Sequence, residues 1–138
     1  MSPKARERVI ACLAKHPGIV AAYLFGSTAR GGGSPLSDVD VAILWARLPE
    51  KALRERARLI EDLSRAAKAT ADVIFLNDAP PALAGRVLRD GKLLLSRDDT
   101  ERIRYEIRAL QRDLDAVHLR RSFDRTLTQS IREGRFYG

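Results

Sequence analysis

The stretch IVAAYLFGSTARGGGSPLSDVDVAILW, residues 19–45, decides the fold. Its first seven residues are almost entirely apolar, which predicts a strand buried on both faces and therefore central in a sheet. The chain then breaks at Gly26-Ser27, crosses a loop rich in Gly and Ser, and enters a second apolar run over residues 38–45. The stretch therefore predicts two strands joined by an irregular loop.

Two carboxylates, Asp38 and Asp40, stand at the start of the second predicted strand. Residues i and i+2 of a strand share a face, so both carboxylates point the same way, while Val39, Val41 and Ile43 point into a core. Adjacent carboxylates repel each other unless a cation or a proton lies between them. Because hard cations such as Mg²⁺ take oxygen ligands, the pair is a candidate Mg²⁺ site.

The loop between the strands begins with residues that suit a phosphate group. A strand that ends in Gly-Ser and turns into a helix presents backbone N–H groups, which favour an anion. Gly26 allows close approach to the backbone, and Ser27 can donate its hydroxyl or cap the helix, two roles that coexist. Arg30 either adds a fork of donors for phosphate oxygens or is a plain surface residue. Together with the carboxylates, these residues indicate an enzyme that handles a nucleoside triphosphate.

The spacing of these motifs resembles that of a known enzyme superfamily. Gly26-Ser27, ten intervening residues and Asp38-Val39-Asp40 match the GS-x10-DxD signature of the polymerase-beta-like nucleotidyltransferases. The longer string GSTARG…SDVDVAIL most closely resembles the MntA family of minimal nucleotidyltransferases. These are adenylyltransferase antitoxins that act beside HEPN-domain toxins such as HepT. The likeness spans roughly residues 19–98, and Gly31-Gly32-Gly33 departs from the usual family pattern.

The resemblance implies an α/β (α+β) fold, in which helices flank a minimal sheet of three to four strands and a helical tail follows. Residues 1–98 would form the nucleotidyltransferase core, and residues 99–138 a helical extension of the same single domain. The implied activity is transfer of AMP from ATP to a tyrosine hydroxyl of a HEPN-family ribonuclease toxin, with two Mg²⁺ ions. Two alternatives remain: an antitoxin that acts by binding alone, and a nucleotidyltransferase for a small molecule.

A third carboxylate is expected from the family mechanism. Asp72, in the pattern DVIFL, matches the family's third acidic position and converges with Asp38 and Asp40 if the third strand lies beside the second. Asp78 is the competitor, but it follows the strand and is better interpreted as a turn former. The resemblance implies that the three aspartates hold the metal ions, and that Gly26, Ser27 and Arg30 bind the phosphates of ATP.

The remaining elements follow from apolar periodicity. A helix of about twenty residues ending near Ala69 shows an apolar stripe at three- and four-residue steps. Residues 99–133 contain neither Pro nor Gly and predict a helical tail, with a break or bend near His118 where the phase of the apolar residues changes. The members of the first stripe are Leu53, Ala57, Ile60, Leu63 and Ala67. Those of the first half of the tail are Ile103, Ile107, Leu110, Leu114 and Val117.

Composition limits the remaining functions. The chain of 138 residues carries 25 basic and 18 acidic residues, for a net charge of +7. The basic residues are scattered and no aromatic residues alternate with them, so direct nucleic-acid binding is not expected. Cys12 is the single cysteine, and the sequence shows neither a signal peptide nor a run long enough to span a membrane. These features predict a cytoplasmic protein.

Overall fold

The computed structural model describes residues 1–26 and 38–133, which contain a four-stranded mixed sheet between helices. The strand order is β3-β2-β1-β4; β1 runs antiparallel to β2 and β4, and β2 runs parallel to β3. The predicted α/β class and the central position of the first strand are confirmed. The strands are β1 (Ile19–Phe25), β2 (Val39–Trp45), β3 (Ala71–Phe75) and β4 (Lys92–Ser96). The helices are α1 (Pro3–Ala14), α2 (Ala52–Ala67), α3 (Pro81–Asp90) and α4 (Asp99–Arg132), and a 3-10 turn (Leu76–Asp78) follows β3.

Local signals in the sequence define several helix ends. The Ser2 hydroxyl accepts a hydrogen bond from the Ala5 N–H at 3.1 Å and caps α1, and the Asp98 carboxylate caps α4 in the same way. Lys68 adopts a left-handed conformation with φ 54° and ends α2. These residues therefore determine where α1 and α4 begin and where α2 ends.

The alternation of side chains along β2 divides the interior into two cores. Val39, Val41 and Ile43 are buried against α1 and α2, as predicted, while Ala42 and Leu44 lie on the opposite face beneath α3 and α4. The first core also contains Val9, Leu13, Leu59, Leu63 and Val73, and the second contains Tyr23, Ala84, Val87, Tyr105 and Ala109. Because Asp40 alternates with Val39 and Val41, it belongs to the face of the second core.

The apolar stripe predicted for α2 is right over its second half, where Leu63 is buried and Ile60 and Ala67 pack against the first core, and wrong over its first half, where Leu53 and Ala57 are exposed. Leu53 is 83% exposed, whereas Leu59 and Leu63 are fully buried. At 3.6 residues per turn, Leu53 lies roughly 80–120° round the helix from these two residues. Its side chain therefore falls outside the face that packs on the sheet.

The predicted break near His118 is also wrong, because α4 is one uninterrupted helix of 34 residues. Tyr105 and Ala109 pack into the second core, whereas every side chain from residue 118 to residue 129 is exposed. The predicted apolar seam of the first half is not buried either. Ile103, Ile107, Leu110 and Leu114 are 44%, 64%, 40% and 50% exposed.

Candidate functional site

The register of the sheet brings two of the predicted carboxylates side by side. Asp40 of β2 is the direct partner of Asp72 of β3, and Val39 is the partner of Ala71 in the same parallel ladder. Directly paired residues of neighbouring strands project from the same face, with their backbones about 4.8 Å apart. The third strand thus lies beside the second, which was the condition for convergence. Asp38 lies one residue before β2 and is exposed.

The electrostatics of Asp40 reflect this arrangement. Partial burial raises the pKa of the Asp40 carboxyl, and the negative charges of Asp72 and Asp38 raise it further. Asp40 is therefore close enough to Asp72 and to Asp38 for each of them to repel its negative charge. A divalent cation between them would relieve that repulsion, and carboxylate oxygens are the ligands that Mg²⁺ prefers.

Gly26 lies directly above the Asp40 carboxylate at the end of β1. It adopts φ 76°, and a β-carbon at this position would lie 2.4 Å from Oδ2 of Asp40. Phe25, the residue before it, is the ladder partner of Asp40. The backbone conformation therefore favours glycine here, and any side chain at this position would have to displace the Asp40 carboxylate. Ser27 and Arg30, the other predicted phosphate-binding residues, lie outside the described residues.

Asp72 is held at the exposed edge of the sheet by contacts that the sequence did not reveal. Its Oδ1 accepts a hydrogen bond from the Val73 N–H at 2.9 Å and lies 3.4 Å from Nη2 of Arg56. The same guanidinium donates through Nε to the Val73 carbonyl oxygen. Arg56 is one of 25 basic residues and belongs to no motif, so only the packing of α2 on the sheet identifies it.

These contacts explain why the carboxylates do not form a compact cage. Within residues 1–26 and 38–133, no group of three or more His, Cys, Asp or Glu side chains is arranged closely enough to hold a metal ion. Oδ1 of Asp72 instead contacts the Val73 N–H and the Arg56 guanidinium. Carboxylate oxygens are the ligands that a hard divalent cation takes, so the chemistry of these residues fits such an ion.

An apolar cavity of about 250 Å³ adjoins this site at the open side of β3, and we call it the edge cavity. It lies between α2, β3, the 3-10 turn and the start of α3. Arg56 lines it, and so does Asp78, the alternative third carboxylate, which lies in the 3-10 turn and is not part of the ladder that pairs Asp40 with Asp72. The lining residues are Ala52, Leu53, Arg56, Ile74, Phe75, Asp78, Ala79, Pro80 and Leu83.

Comparisons with known proteins agree with this fold. The sequence model of the family "Polymerase beta, Nucleotidyltransferase" matches residues 7–100. No curated protein sequence matches this chain significantly. No helix in the described part of the chain is long and apolar enough to cross a membrane.

Three similar solved structures show the same fold, each at low sequence identity. A toxin–antitoxin structure with AMP-PNP has a TM-score of 0.75 at 22% identity, covering 89% of this chain and 98% of its own. The structure of the toxin–antitoxin MntA-HepT has a TM-score of 0.70 at 21% identity, and the match covers 90% of this chain and 97% of the matched chain. The structure of a tri-AMPylated Shewanella oneidensis HEPN toxin in complex with MNT antitoxin has a TM-score of 0.71 at 21% identity. The match covers 90% of this chain and 96% of the matched chain.

Proposed function

The chain belongs to the polymerase beta nucleotidyltransferase family, and on that premise we propose that it is an antitoxin that transfers AMP from ATP to a tyrosine hydroxyl of a HEPN-family ribonuclease toxin. The observation that carries this proposal is the pairing of Asp40 with Asp72 beside Gly26. The similar structures support the choice of nucleotide and partner, since one contains AMP-PNP and another an AMPylated HEPN toxin. The single cysteine, Cys12, supports the cytoplasm as the site of action.

In this proposal the carboxylates bind Mg²⁺. Asp38 and Asp40 hold the ions, and Asp72 is the ligand nearest the acceptor. When bound, Mg²⁺ supplies charge neutralisation at the phosphates and stabilises the attacking and leaving oxygens. The elevated pKa of Asp40 supports this assignment, because the cost of its negative charge falls when a cation is present.

The other residues position the reactants. Gly26 leaves its backbone open to the outer phosphates, with Ser27 and Arg30 as further phosphate contacts. The tyrosine oxygen forms a bond to the α-phosphorus while the bond from that phosphorus to the pyrophosphate oxygen breaks. Asp72 assists removal of the hydroxyl proton, and pyrophosphate takes the electron pair of the broken bond. Catalysis of this kind consists mainly of positioning and of charge stabilisation.

The test is transfer of label from α-labelled ATP, with Mg²⁺, to a purified HEPN-family toxin protein. We expect label on that protein, and a loss of about 10²–10⁴-fold in rate for Asp72→Asn, as for other positioned proton acceptors. Asp124→Asn, an exposed substitution on α4, is the matched control and should keep the wild-type rate.

Each other outcome contradicts part of the proposal. Inhibition of the toxin without label would show an antitoxin that acts by binding, and label on a small acceptor would show a different substrate class. If Asp78→Asn lost activity while Asp72→Asn kept it, the assignment of the third carboxylate would be wrong.

A further inference from the structure

We propose that the edge cavity binds an apolar side chain of the polypeptide that carries the acceptor hydroxyl. The acceptor would then be selected by a hydrophobic contact beside Asp72, not only by the reacting oxygen. This inference rests on the proposed function, because it locates the acceptor of the same reaction. It also favours a polypeptide over a small polar molecule as the acceptor.

The direction of attack leads to this side of the sheet. Gly26, Asp40 and Asp72 lie in that order across β1, β2 and β3, and β3 is the edge strand. In phosphoryl and nucleotidyl transfer the attacking and leaving oxygens lie roughly in line, on opposite sides of the phosphorus. If the outer phosphates lie at Gly26, the acceptor must approach over β3. The edge cavity lies there, and Arg56 both lines it and contacts Asp72.

The walls of the edge cavity determine what it can bind. They are mainly aliphatic and aromatic, and Leu53 at its rim is 83% exposed. Leu53 and the apolar walls beside it therefore form one accessible apolar surface that a partner's side chain can contact. The volume of about 250 Å³ is below the ~300–1,000 Å³ typical of pockets for drug-sized ligands, and it suits one large side chain.

A polypeptide cannot bind here by adding a strand to the sheet over Ala71–Val73, because this part of the β3 edge is already occupied. The Ala71 N–H donates to the Ser64 hydroxyl at 2.9 Å, the Val73 N–H donates to Asp72, and the Val73 carbonyl accepts from Arg56. Strand addition depends on unpaired backbone groups at a sheet edge. The acceptor must therefore dock through side chains, which is what an apolar cavity provides.

The spacing of the cavity from Asp72 suits one polypeptide segment. Ile74 lines the cavity two residues beyond Asp72 and lies on the same face of β3. Two strand residues span about 6.6 Å. An extended acceptor segment presents residues i and i+2 at the same separation, and a helical one presents i and i+3 or i+4 at about 5–6 Å. The bound apolar side chain is thus two residues, or one helical turn, from the acceptor.

Leu53→Ser tests the inference without a risk to folding, because the Leu53 side chain is exposed. The matched control is Arg54→Ser, which changes the next exposed residue on the same turn of α2. With the HEPN-family protein as acceptor, we expect the KM for that protein to rise about tenfold in Leu53→Ser, as for loss of one apolar contact. The kcat and the KM for ATP should stay unchanged, and Leu53→Met should restore the wild-type KM.

Equal KM values for Leu53→Ser and Arg54→Ser would overturn the inference, and so would a loss in kcat alone. If the wild-type protein labels no polypeptide, the proposed function fails separately. The affinity of the two variants for the HEPN-family protein, measured without ATP, then still decides whether the edge cavity is a contact surface. A weaker affinity for Leu53→Ser alone supports the contact, and equal affinities reject it.

Discussion

Gly26 and Asp40 fit together so closely that a β-carbon on Gly26 would lie 2.4 Å from Oδ2 of Asp40. The positive φ of Gly26, 76°, adds strain for any other residue. We expect Gly26→Ala to lower the free energy of unfolding by about 1–3 kcal/mol and to abolish nucleotidyl transfer by displacing Asp40. Urea unfolding and the labelling assay measure these two effects.

The collision and the backbone strain can be separated with a double variant. In the background of Asp40→Ala the collision is gone, so Gly26→Ala should cost less there than in the wild-type protein. An equal cost in both backgrounds would show that the glycine is needed for its backbone conformation alone.

Asp40 should lower the stability of the metal-free protein at neutral pH. Its pKa is raised in the folded state by burial and by the charges of Asp72 and Asp38. A carboxyl of this kind stabilises the fold fully below its unfolded pKa, and that contribution is lost as the pH rises through the folded pKa. In EDTA at pH 7, Asp40→Asn should therefore be more stable than the wild-type protein, by about 1 kcal/mol or less because solvent screens the partly exposed group.

The difference between Asp40→Asn and the wild-type protein should disappear as the pH falls towards the pKa of an unperturbed Asp, about 3.9. Asp124→Asn, an exposed substitution on α4, is the control and should change the thermal midpoint at neither pH. A variant Asp40→Asn that is less stable than the wild-type protein in EDTA would contradict the proposed repulsion among the carboxylates.

The face on which Asp40 lies could be predicted from the sequence because strand alternation has a strict period of two. With Val39 and Val41 assigned to a core, Asp40 had to lie on the other face. The pairing of the second and third strands, which brings Asp72 beside Asp40, was left open by the sequence and is given by the sheet. The glycine at the end of β1 was recognised from its motif. Its contact with the Asp40 carboxylate depends on how β1 and β2 are paired, and the motif does not specify that pairing.

The helix side of the site was not predictable in the same way. A helical stripe can be drawn through several combinations of residues, and packing selected Leu59 and Leu63 while leaving Leu53 exposed. The phase of α2 in turn decides that Arg56 reaches Asp72. Along α4, the change in the phase of the apolar residues near His118 suggested a break. Residues 118–129 are exposed and pack on no core, so the change of phase does not interrupt the helix.

An ion pair between Arg89 and Asp113 joins α3 to α4 over the second core. Nη1 of Arg89 lies 2.6 Å from Oδ2 of Asp113, whose side chain is only 7% exposed. Gly85 allows this approach, since a β-carbon there would lie 2.2 Å from the same oxygen. We expect Arg89→Ala to lower the free energy of unfolding by about 1–3 kcal/mol, because it leaves a buried carboxylate without its charged partner.

The double variant Arg89→Ala/Asp113→Ala distinguishes loss of the ion pair from loss of packing. Removing both charges should cost less than the sum of the single substitutions, since no buried charge then remains unpaired. Arg86→Ala, an exposed arginine on the same helix, should change the urea midpoint little. If the losses in unfolding free energy of the two single variants add up to that of the double variant, the ion pair itself contributes nothing to stability. A coupling would instead mean that Asp113, an acidic residue at a core position of α4, contributes to stability through the ion pair by which Arg89 holds α3 against α4.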